Sequence, residues 1–204
     1  MPHFRLERQY LKKGVWPVAG VDEVGRGPLA GPVAAAAVIL DPKRLPKGID
    51  DSKKLSLAVR EALYVDILAS ALAVSIGLVP AAEIDVINIR QASHLAMRRA
   101  LRGLALLPSH ALIDGNDAPA DLVSPCQTII KGDAISLSIA AASIVAKVTR
   151  DRLMTHAASH HPHWGFDQHM GYGTKLHLAA LAKHGPCALH RMSFSPLRAF
   201  VPYR

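Results

Sequence analysis

Short apolar runs rich in β-branched residues alternate along the chain with longer stretches whose apolar positions recur at helical spacing. The runs of strand length are 18–24, 33–40, 73–79, 110–113 and 127–130. The helical stretches are 57–71, 81–106, 137–148 and 174–183. The stretch 137–148 is apolar on nearly every face, which is typical of a buried helix. Strands interleaved with helices in this way predict an α/β fold.

The composition changes near residue 156, where histidine, glycine, proline and aromatic residues become frequent. This change predicts a core of residues 1–155 and a C-terminal helical extension of residues 156–204 that packs on the core. The histidines of 156–163 could indicate a metal-binding tract, but we interpret them as the solvated end of a helix.

Composition and charge exclude several classes of protein. Half of the 204 residues are hydrophobic, which excludes a mainly disordered chain, and glycine and proline are too few for a collagen-like one. The longest uncharged apolar run, 67–82, is shorter than the roughly 20 residues of a membrane span. The N-terminus lacks the apolar core of a signal peptide, and the two cysteines show no metal-site spacing. We therefore expect a cytoplasmic protein with reduced thiols.

The chain is strongly basic, with 24 Lys and Arg against 16 Asp and Glu, a formal charge of +8 and a pI near 9.8. A basic excess favours a polyanionic partner, because Lys and Arg displace counterions from phosphates. Charge alone is weak support for nucleic-acid binding, since many basic proteins bind none.

Acidic residues follow three of the predicted strands, namely Asp22-Glu23, Asp114 and Asp133. Acids at strand ends gather at one edge of a sheet, where a ligand can reach them. Carboxylates brought together need a cation, and a set of oxygen ligands without His or Cys favours Mg²⁺ or Mn²⁺. Two such ions suit displacement at phosphorus. The alternative is that each acid caps a strand or faces solvent.

Residues 25–30 read Gly-Arg-Gly-Pro-Leu-Ala and formally match a dinucleotide-binding fingerprint. The context disfavours that interpretation, because Pro28, Gly31 and Pro32 cannot open a regular helix and the preceding acids would repel a pyrophosphate. We favour a glycine-flanked arginine whose backbone approaches a sugar-phosphate closely.

Seven motifs occur in the order in which the type 2 ribonucleases H carry them, and the chain resembles ribonuclease HII in particular. They are GVDEVGRGPLAGPV at 20–33, DSKKL at 51–55, LIDGN at 112–116, KGD at 131–133, AASIVAKVTRDR at 141–152, GYGT at 171–174 and HRMSF at 190–194. Together they span nearly the whole chain. The related ribonuclease HIII has a long additional N-terminal domain, and only 17 residues precede the first predicted strand here, which favours ribonuclease HII.

The resemblance implies an RNase H-like fold with a central mixed five-stranded sheet, flanking helices and a small C-terminal helical part. It also implies an endonuclease that cuts the RNA of RNA/DNA hybrids and cuts on the 5′ side of ribonucleotides embedded in duplex DNA, leaving 5′-phosphate and 3′-hydroxyl. The implied partners are these two nucleic acids. No partner-binding tail is evident at the C-terminus, so we expect a monomer without an obligate protein partner.

The resemblance also assigns site residues. The family's four metal-binding carboxylates correspond to Asp22, Glu23, Asp114 and Asp133. Asp151 is the alternative for the fourth place, but its neighbours Arg150 and Arg152 suggest an ordinary ion pair. The segment that contacts the ribose 2′-hydroxyl and the neighbouring phosphate corresponds to Gly25, Arg26 and Gly27, and the tyrosine of the RNA–DNA junction corresponds to Tyr172. The candidate phosphate contacts are Lys53, Lys54, Ser143 and Lys147; alternatively, the lysines belong to a solvated loop and Ser143 packs a helix.

Two other functions are compatible with parts of this pattern. A non-catalytic nucleic-acid-binding module of the same fold would have no reason to keep carboxylates facing a phosphate backbone. A DNA-only nuclease of the same superfamily, such as an integrase or resolvase, would not need the Gly-Arg-Gly segment together with Tyr172, because the 2′-hydroxyl is the group that distinguishes RNA from DNA.

Overall fold

One mixed five-stranded sheet forms the centre of the protein in the computed structural model, which describes residues 1–50, 52 and 55–200. The strands are β1 (Val18–Val24), β2 (Val33–Leu40), β3 (Ala71–Val79), β4 (His110–Asp114) and β5 (Cys126–Ile129), and they lie in the order β3-β2-β1-β4-β5. The β1–β2 and β2–β3 pairs are antiparallel, whereas β1–β4 and β4–β5 are parallel. The predicted α/β class and mixed sheet are confirmed.

Strand β2 explains why the sheet has helices on both faces. Every residue of β2 is buried, so neither face of the strand meets water. Ala35, Ala37 and Ile39 pack on one side, and the alternate residues Ala36 and Val38 pack on the other. The first side is covered by α3 (Ala81–Arg102), and the second by α2 (Leu57–Ser70) and α4 (Leu137–His160).

Helix α4 lies so close to β1 that only glycine fits at the contact. A Cβ atom built on Gly20 would lie 2.1 Å from the main-chain carbon of Ser138, a distance that real atoms do not adopt. The helix continues through the charged segment to His160, and its last residues, including His156, are exposed. The contact at Gly20 therefore fixes a long helix across the sheet.

The N-terminal helix α1 (Arg5–Lys12) was not predicted from the sequence. Its residue Glu7 is fully buried beneath the start of α4. The Oε1 atom of Glu7 accepts hydrogen bonds from the hydroxyls of Ser136 and Ser138, both at 2.6 Å, and from the Ser138 amide at 2.9 Å. Helix α1 thus anchors the first turn of the helix that crosses the sheet.

Several boundaries differ slightly from the predicted ones. Helix α3 ends at Arg102 rather than at 106, and it is interrupted at Asn88, whose φ of 66° is not helical. The C-terminal part contains the short α5 (Phe166–His169) and α6 (Lys175–His184). The division into residues 1–155 and 156–204 stays a prediction. No helix in the described ranges has the length and apolar character that crossing a membrane requires.

Candidate active site

The parallel pairing of β1 with β4 brings the first two acidic positions together. The register pairs Val21 with Ile113, so Asp22 and Asp114 come next at the same end of neighbouring strands. Parallel strands end at one edge of a sheet, as the sequence pattern predicted. Asp22 is buried, with 6% of its surface exposed.

Asp133 reaches the same edge through the neighbouring strand. Strand β5 pairs with β4 and is followed by a short 3₁₀ turn, Gly132–Ala134, that carries Asp133. The Gly132 amide donates a 2.6 Å hydrogen bond to Oδ1 of Asp114. This bond ties the turn to β4 and thereby places the third strand-end acid beside the second.

The four acids line one pocket of about 360 Å³, which we call the acidic pocket. Its lining residues are Asp22, Glu23, Val24, Ser52, Asp114, Asp133, Ser143, Lys147 and Tyr172. The structure therefore brings together all four predicted carboxylates, Tyr172 and two of the four candidate phosphate contacts. The other two, Lys53 and Lys54, lie outside the described residues.

The Gly-Arg-Gly segment borders this pocket. The Nη1 atom of Arg26 lies 3.3 Å from Oε1 of Glu23. A Cβ atom built on Gly27 would lie 3.8 Å from the Tyr172 ring, so the segment and the tyrosine are neighbours. Residues 25–32 lead into β2 and not into a helix, so the strand–turn–helix arrangement of a dinucleotide site is absent from this described segment.

Burial and mutual repulsion disfavour the charged form of Asp22. Loss of hydration raises its pKa well above the usual range, and the neighbouring charges of Glu23 and Asp114 raise it further. Hydrogen bonds from the Ser143 side chain and the Glu23 amide, the latter 2.7 Å long, oppose this rise in the pKa.

The pKa values of Glu23 and Asp114 are also raised, in both cases mainly by burial. The Arg26 guanidinium lowers the Glu23 pKa, and the Gly132 amide lowers the Asp114 pKa, so each rise is partly offset. The carboxyl groups of Asp22, Glu23 and Asp114 therefore ionise at a higher pH than usual, because too little positive charge surrounds them.

The residues present fit a hard divalent cation. The pocket offers carboxylate and hydroxyl oxygens, which Mg²⁺ and Mn²⁺ prefer, and its described lining contains no His or Cys. A cation would also relieve the repulsion that raises the three pKa values. As they stand, no three His, Cys, Asp or Glu side chains among the described residues are arranged to hold a metal ion.

The structure places the two candidates for the fourth acid in different surroundings. Asp133 lines the acidic pocket, whereas Asp151 does not and instead accepts a 2.8 Å ion pair from Lys147. The expected ion pair of Asp151 therefore exists, but its partner is one helical turn away and not Arg150 or Arg152. Arg152 pairs with Glu61, and Arg150 is buried against main-chain carbonyls.

Sequence reasoning missed Ser52, although it lies within the quoted 51–55 motif. The Ser52 hydroxyl lies 3.0 Å from the Ser143 hydroxyl, which is bonded to Asp22. Arg60 donates 2.8 Å hydrogen bonds to the carbonyls of Ser52 and Leu55 and so fixes these two main-chain positions. Ser52 directly precedes Lys53 and Lys54, and a positive charge is a stronger sequence signal for phosphate binding than a hydroxyl.

Comparison with known proteins gives consistent matches over nearly the whole chain. The family model described as Ribonuclease HII matches residues 19–196. The Ribonuclease HII of Rhizobium johnstonii is 60% identical over 198 residues, which cover 97% of this chain and 86% of that protein. The Ribonuclease HII of Agrobacterium fabrum is 56% identical over 197 residues, covering 97% and 90%.

Solved structures share the fold. The ribonuclease H2 of Pyrococcus horikoshii OT3 matches with a TM-score of 0.77 and 27% identity, covering 89% of this chain and 95% of that one. The RNase HII of Archaeoglobus fulgidus, solved as a complex with PCNA, matches with a TM-score of 0.75 and 27% identity, covering 88% and 96%. These matches confirm the predicted RNase H-like fold and the resemblance to ribonuclease HII over HIII. The protein is therefore an endoribonuclease that acts on RNA/DNA hybrids, and the chain belongs to the ribonuclease HII family.

Proposed function

We propose that this enzyme is a metal-dependent endonuclease that cuts the RNA of RNA/DNA hybrids and also cuts on the 5′ side of single ribonucleotides embedded in duplex DNA. The products would carry 5′-phosphate and 3′-hydroxyl ends. The observation that carries the proposal is the acidic pocket, where carboxyl groups with raised pKa values lie beside Gly27 and Tyr172. Carboxylates suit metal-assisted hydrolysis, and the adjacent groups suit a ribose.

Asp22, Glu23, Asp114 and Asp133 would hold the ions, Mg²⁺ or Mn²⁺. When bound, the ions would lower the pKa of a water molecule and stabilise the leaving oxygen. Ser143 would orient Asp22 through its hydrogen bond, and the Gly132 amide would orient Asp114. These second partners fix the oxygen positions, as is usual around metal ligands.

Recognition of the ribonucleotide would rest on residues 25–27 and Tyr172. Arg26 and Gly27 are exposed at the edge of the pocket, and Tyr172 is 42% exposed, so its ring and hydroxyl are available. A phenol ring can stack on a sugar or base while its hydroxyl donates a hydrogen bond. The 2′-hydroxyl can both donate and accept, so backbone amides and a phenol can distinguish it from hydrogen.

Lys53, Lys54, Ser143 and Lys147 remain proposed phosphate contacts. Lys147 lines the acidic pocket, and its ion pair with Asp151 leaves further N–H groups that can donate to a phosphate. The basic excess of the chain supports this arrangement, because a polyanion must be held over a locally acidic pocket.

One cleavage assay tests the proposal. A duplex with a single ribonucleotide and an otherwise identical all-DNA duplex are incubated with the enzyme, with Mg²⁺, with Mn²⁺ and with EDTA. We expect cleavage only at the ribonucleotide and only with metal, and loss of at least about a thousandfold in rate for Asp114→Asn. Wild-type rates for Asp114→Asn would contradict the metal role.

Tyr172→Ala tests the reading of the junction. We expect it to lose far more activity on the single ribonucleotide than on a long hybrid, because a long hybrid offers many alternative registers. Tyr10→Ala is the matched control, since Tyr10 bonds Gln127 away from the pocket. Equal losses on both substrates for Tyr172→Ala would count against a role at the junction.

The same assay separates the two competing functions. A binding module would bind both duplexes without cutting either. A DNA-only nuclease would cut the all-DNA control, which the proposal does not allow.

We further propose that the enzyme acts in the cytoplasm as a monomer without an obligate protein partner. The two cysteines are free, which suits a reducing compartment. The related Archaeoglobus fulgidus enzyme has been solved in complex with PCNA. Light scattering of the purified protein, with and without a duplex, measures the oligomeric state directly. A stable dimer in the absence of nucleic acid would contradict the proposal.

A further inference from the structure

Two arginines are completely buried next to the Gly-Arg-Gly segment. Arg150 and Arg191 both have 0% exposure and are the largest fully buried side chains among the described residues. Within the described residues neither forms an ion pair with a carboxylate. Burying a charge without a counter-ion is costly, so each guanidinium requires another explanation.

All the hydrogen bonds found for these guanidinium groups go to main-chain carbonyls. Arg191 donates to the carbonyls of Gly31 at 3.0 Å, Arg26 at 2.9 Å and Gly25 at 2.6 Å. Arg150 donates to the carbonyls of Pro32 at 2.9 Å, Met170 at 2.9 Å and Ala30 at 3.1 Å. Five of these six carbonyls belong to residues 25–32, so the two side chains determine the path of that segment.

The shape of the segment depends on this packing. Gly25 has a φ of +90°, a backbone angle that residues other than glycine rarely adopt. A Cβ atom at Gly25 would lie 2.2 Å from Nε of Arg150. The turn that follows Asp22 and Glu23 therefore packs directly against the buried Arg150 guanidinium.

The geometry of the peptide bond determines where the amides of Arg26 and Gly27 point once Arg191 holds the carbonyls of Gly25 and Arg26. In a trans peptide unit the C=O and the following N–H lie in one plane and point in opposite directions. Arg191 draws the carbonyls of Gly25 and Arg26 inward, so the amides of Arg26 and Gly27 point outward. Neither amide has a hydrogen-bond acceptor within the described ranges, whereas the nearby Leu29 amide is bonded to Gly171.

The two outward amides lie where a ribose would be read. Arg26 and Gly27 are exposed, and Gly27 faces the Tyr172 ring. Since a carbonyl that accepts a bond from a cation is polarised, the N–H of the same peptide unit becomes a stronger donor. Residue 28 is proline and supplies no competing N–H.

We propose that Arg191 is a positioning residue that sets the specificity of this enzyme for ribonucleotides, by holding the Gly25 and Arg26 carbonyls so that two polarised amides face the 2′-hydroxyl and adjoining phosphate. Arg150 supports the same segment from its other end and ties it to Met170, near Tyr172. The inference rests on the proposed recognition of ribose by residues 25–27. It gives a role to the 190–194 motif, which had none.

The charge state of the pair follows from its surroundings. Burial, together with the neighbouring charge of Arg150, lowers the pKa of Arg191 to about 9. Arg191 remains protonated at neutral pH, so its three carbonyl partners keep their donor.

Arg191→Lys tests the proposal, because lysine keeps the charge but cannot span three carbonyls with a planar fork. Two quantities are measured for each protein: kcat/KM on the single-ribonucleotide duplex, and the inhibition constant of the all-DNA duplex. We expect kcat/KM to fall about 10- to 100-fold while the inhibition constant stays within about twofold of wild type. Arg198→Lys is the control, because exposed Arg198 also donates to a carbonyl, that of Ser193.

A purely structural role predicts a different result. If kcat/KM stays within twofold of wild type, or if both quantities change by the same factor, the proposal is wrong. The wild-type rate on the single ribonucleotide tests the proposed function separately. If the wild type cuts only long hybrids, that function fails, and the ratio of variant to wild type on the hybrid still tests Arg191.

A second measurement on the wild-type protein covers the case in which the variant does not fold. Amide resonances of Arg26 and Gly27 are followed by NMR in EDTA during titration with each of the two duplexes. We expect both resonances to shift more with the ribonucleotide-containing duplex. Equal shifts, or none, would overturn the proposal.

Discussion

Asp22 is the residue at which stability and function conflict most directly. It is buried, and its nearest charged neighbours in the pocket are other acids. A folded-state pKa above the unfolded one means that the native protein binds the proton more tightly. Without metal, stability therefore falls as pH rises from about 4, the ordinary Asp pKa, through the raised folded value.

Asp22→Asn should therefore stabilise the metal-free protein while abolishing cleavage. Asparagine keeps an Oδ1 acceptor for the Glu23 amide and removes the repelled charge. We expect a gain of about 1–2 kcal/mol at pH 8 in EDTA, measured by urea denaturation. Adding Mg²⁺ should stabilise the wild type more than the variant.

Asp66→Asn is the matched control, since Asp66 is exposed on α2, and it should change neither quantity. A metal-free Asp22→Asn protein that is less stable than wild type would show that repulsion does not dominate at this position.

At the scale of elements, the structure depends on how α1 and β1 hold α4. The contact at Gly20 brings the helix onto the strand, and Glu7 satisfies donors at its first turn. Because α4 carries Ser143 and Lys147 over the strand ends, errors at its N-terminal end would displace the pocket lining.

Glu7→Ala should lower the free energy of unfolding by about 3 kcal/mol, because three buried donors from Ser136 and Ser138 lose their acceptor. The measurement is urea denaturation at neutral pH. Glu7→Gln keeps an Oε1 acceptor and should lose clearly less. A loss below about 1 kcal/mol for Glu7→Ala would mean that water replaces the carboxylate.

The predicted bounds of β1 and β2 agree with those in the structure, because both strands are mainly apolar runs bordered by turn residues. The gathering of Asp22, Asp114 and Asp133 was also predicted, since each lies near the end of a strand or just after it. Helix α1 could not be predicted, because its buried residue acts on Ser138, far along the chain. The role of Arg191 was hidden for the same reason, since its partners are more than 150 residues away.

At the scale of the whole molecule, three buried histidines hold separate segments of the C-terminal part together. They are His169, His177 and His190. His177 and His190 lie with their Nε2 atoms 3.0 Å apart, and Nδ1 of His177 lies 2.9 Å from the Tyr172 carbonyl. Burial, together with the neighbouring charge of His177, lowers the pKa of His190 to about 4. One of the two facing Nε2 atoms must accept the hydrogen bond from the other, so protonation of both imidazole rings would break this bond.

Acid should therefore destabilise the protein through His190. Between pH 6.5 and about 4 the unfolded chain binds the proton more tightly, so stability present above pH 6.5 is lost as pH falls. We expect this residue to cost about 2 kcal/mol between pH 7.5 and pH 5, measured as the difference in the free energy of unfolding in urea at the two pH values.

His190→Asn should be less stable at pH 7.5 and show a smaller drop toward pH 5 than wild type. His156→Asn, at an exposed position, should leave the drop unchanged. A drop in His190→Asn as large as that of wild type would assign the acid sensitivity to other groups.

The strand order places β1 in the middle of the sheet, and this has a consequence during synthesis. Strand β2 follows β1 directly, but its other neighbour, β4, begins only at residue 110. At ribosomal speeds the nascent chain waits on the order of ten seconds with one edge of β1 unpaired, although Val18, Ala19 and Val21 of this strand are buried in the finished fold. Nascent molecules are therefore most prone to aggregate in this interval, and the acidic pocket lacks its fourth acid until Asp133 has been made.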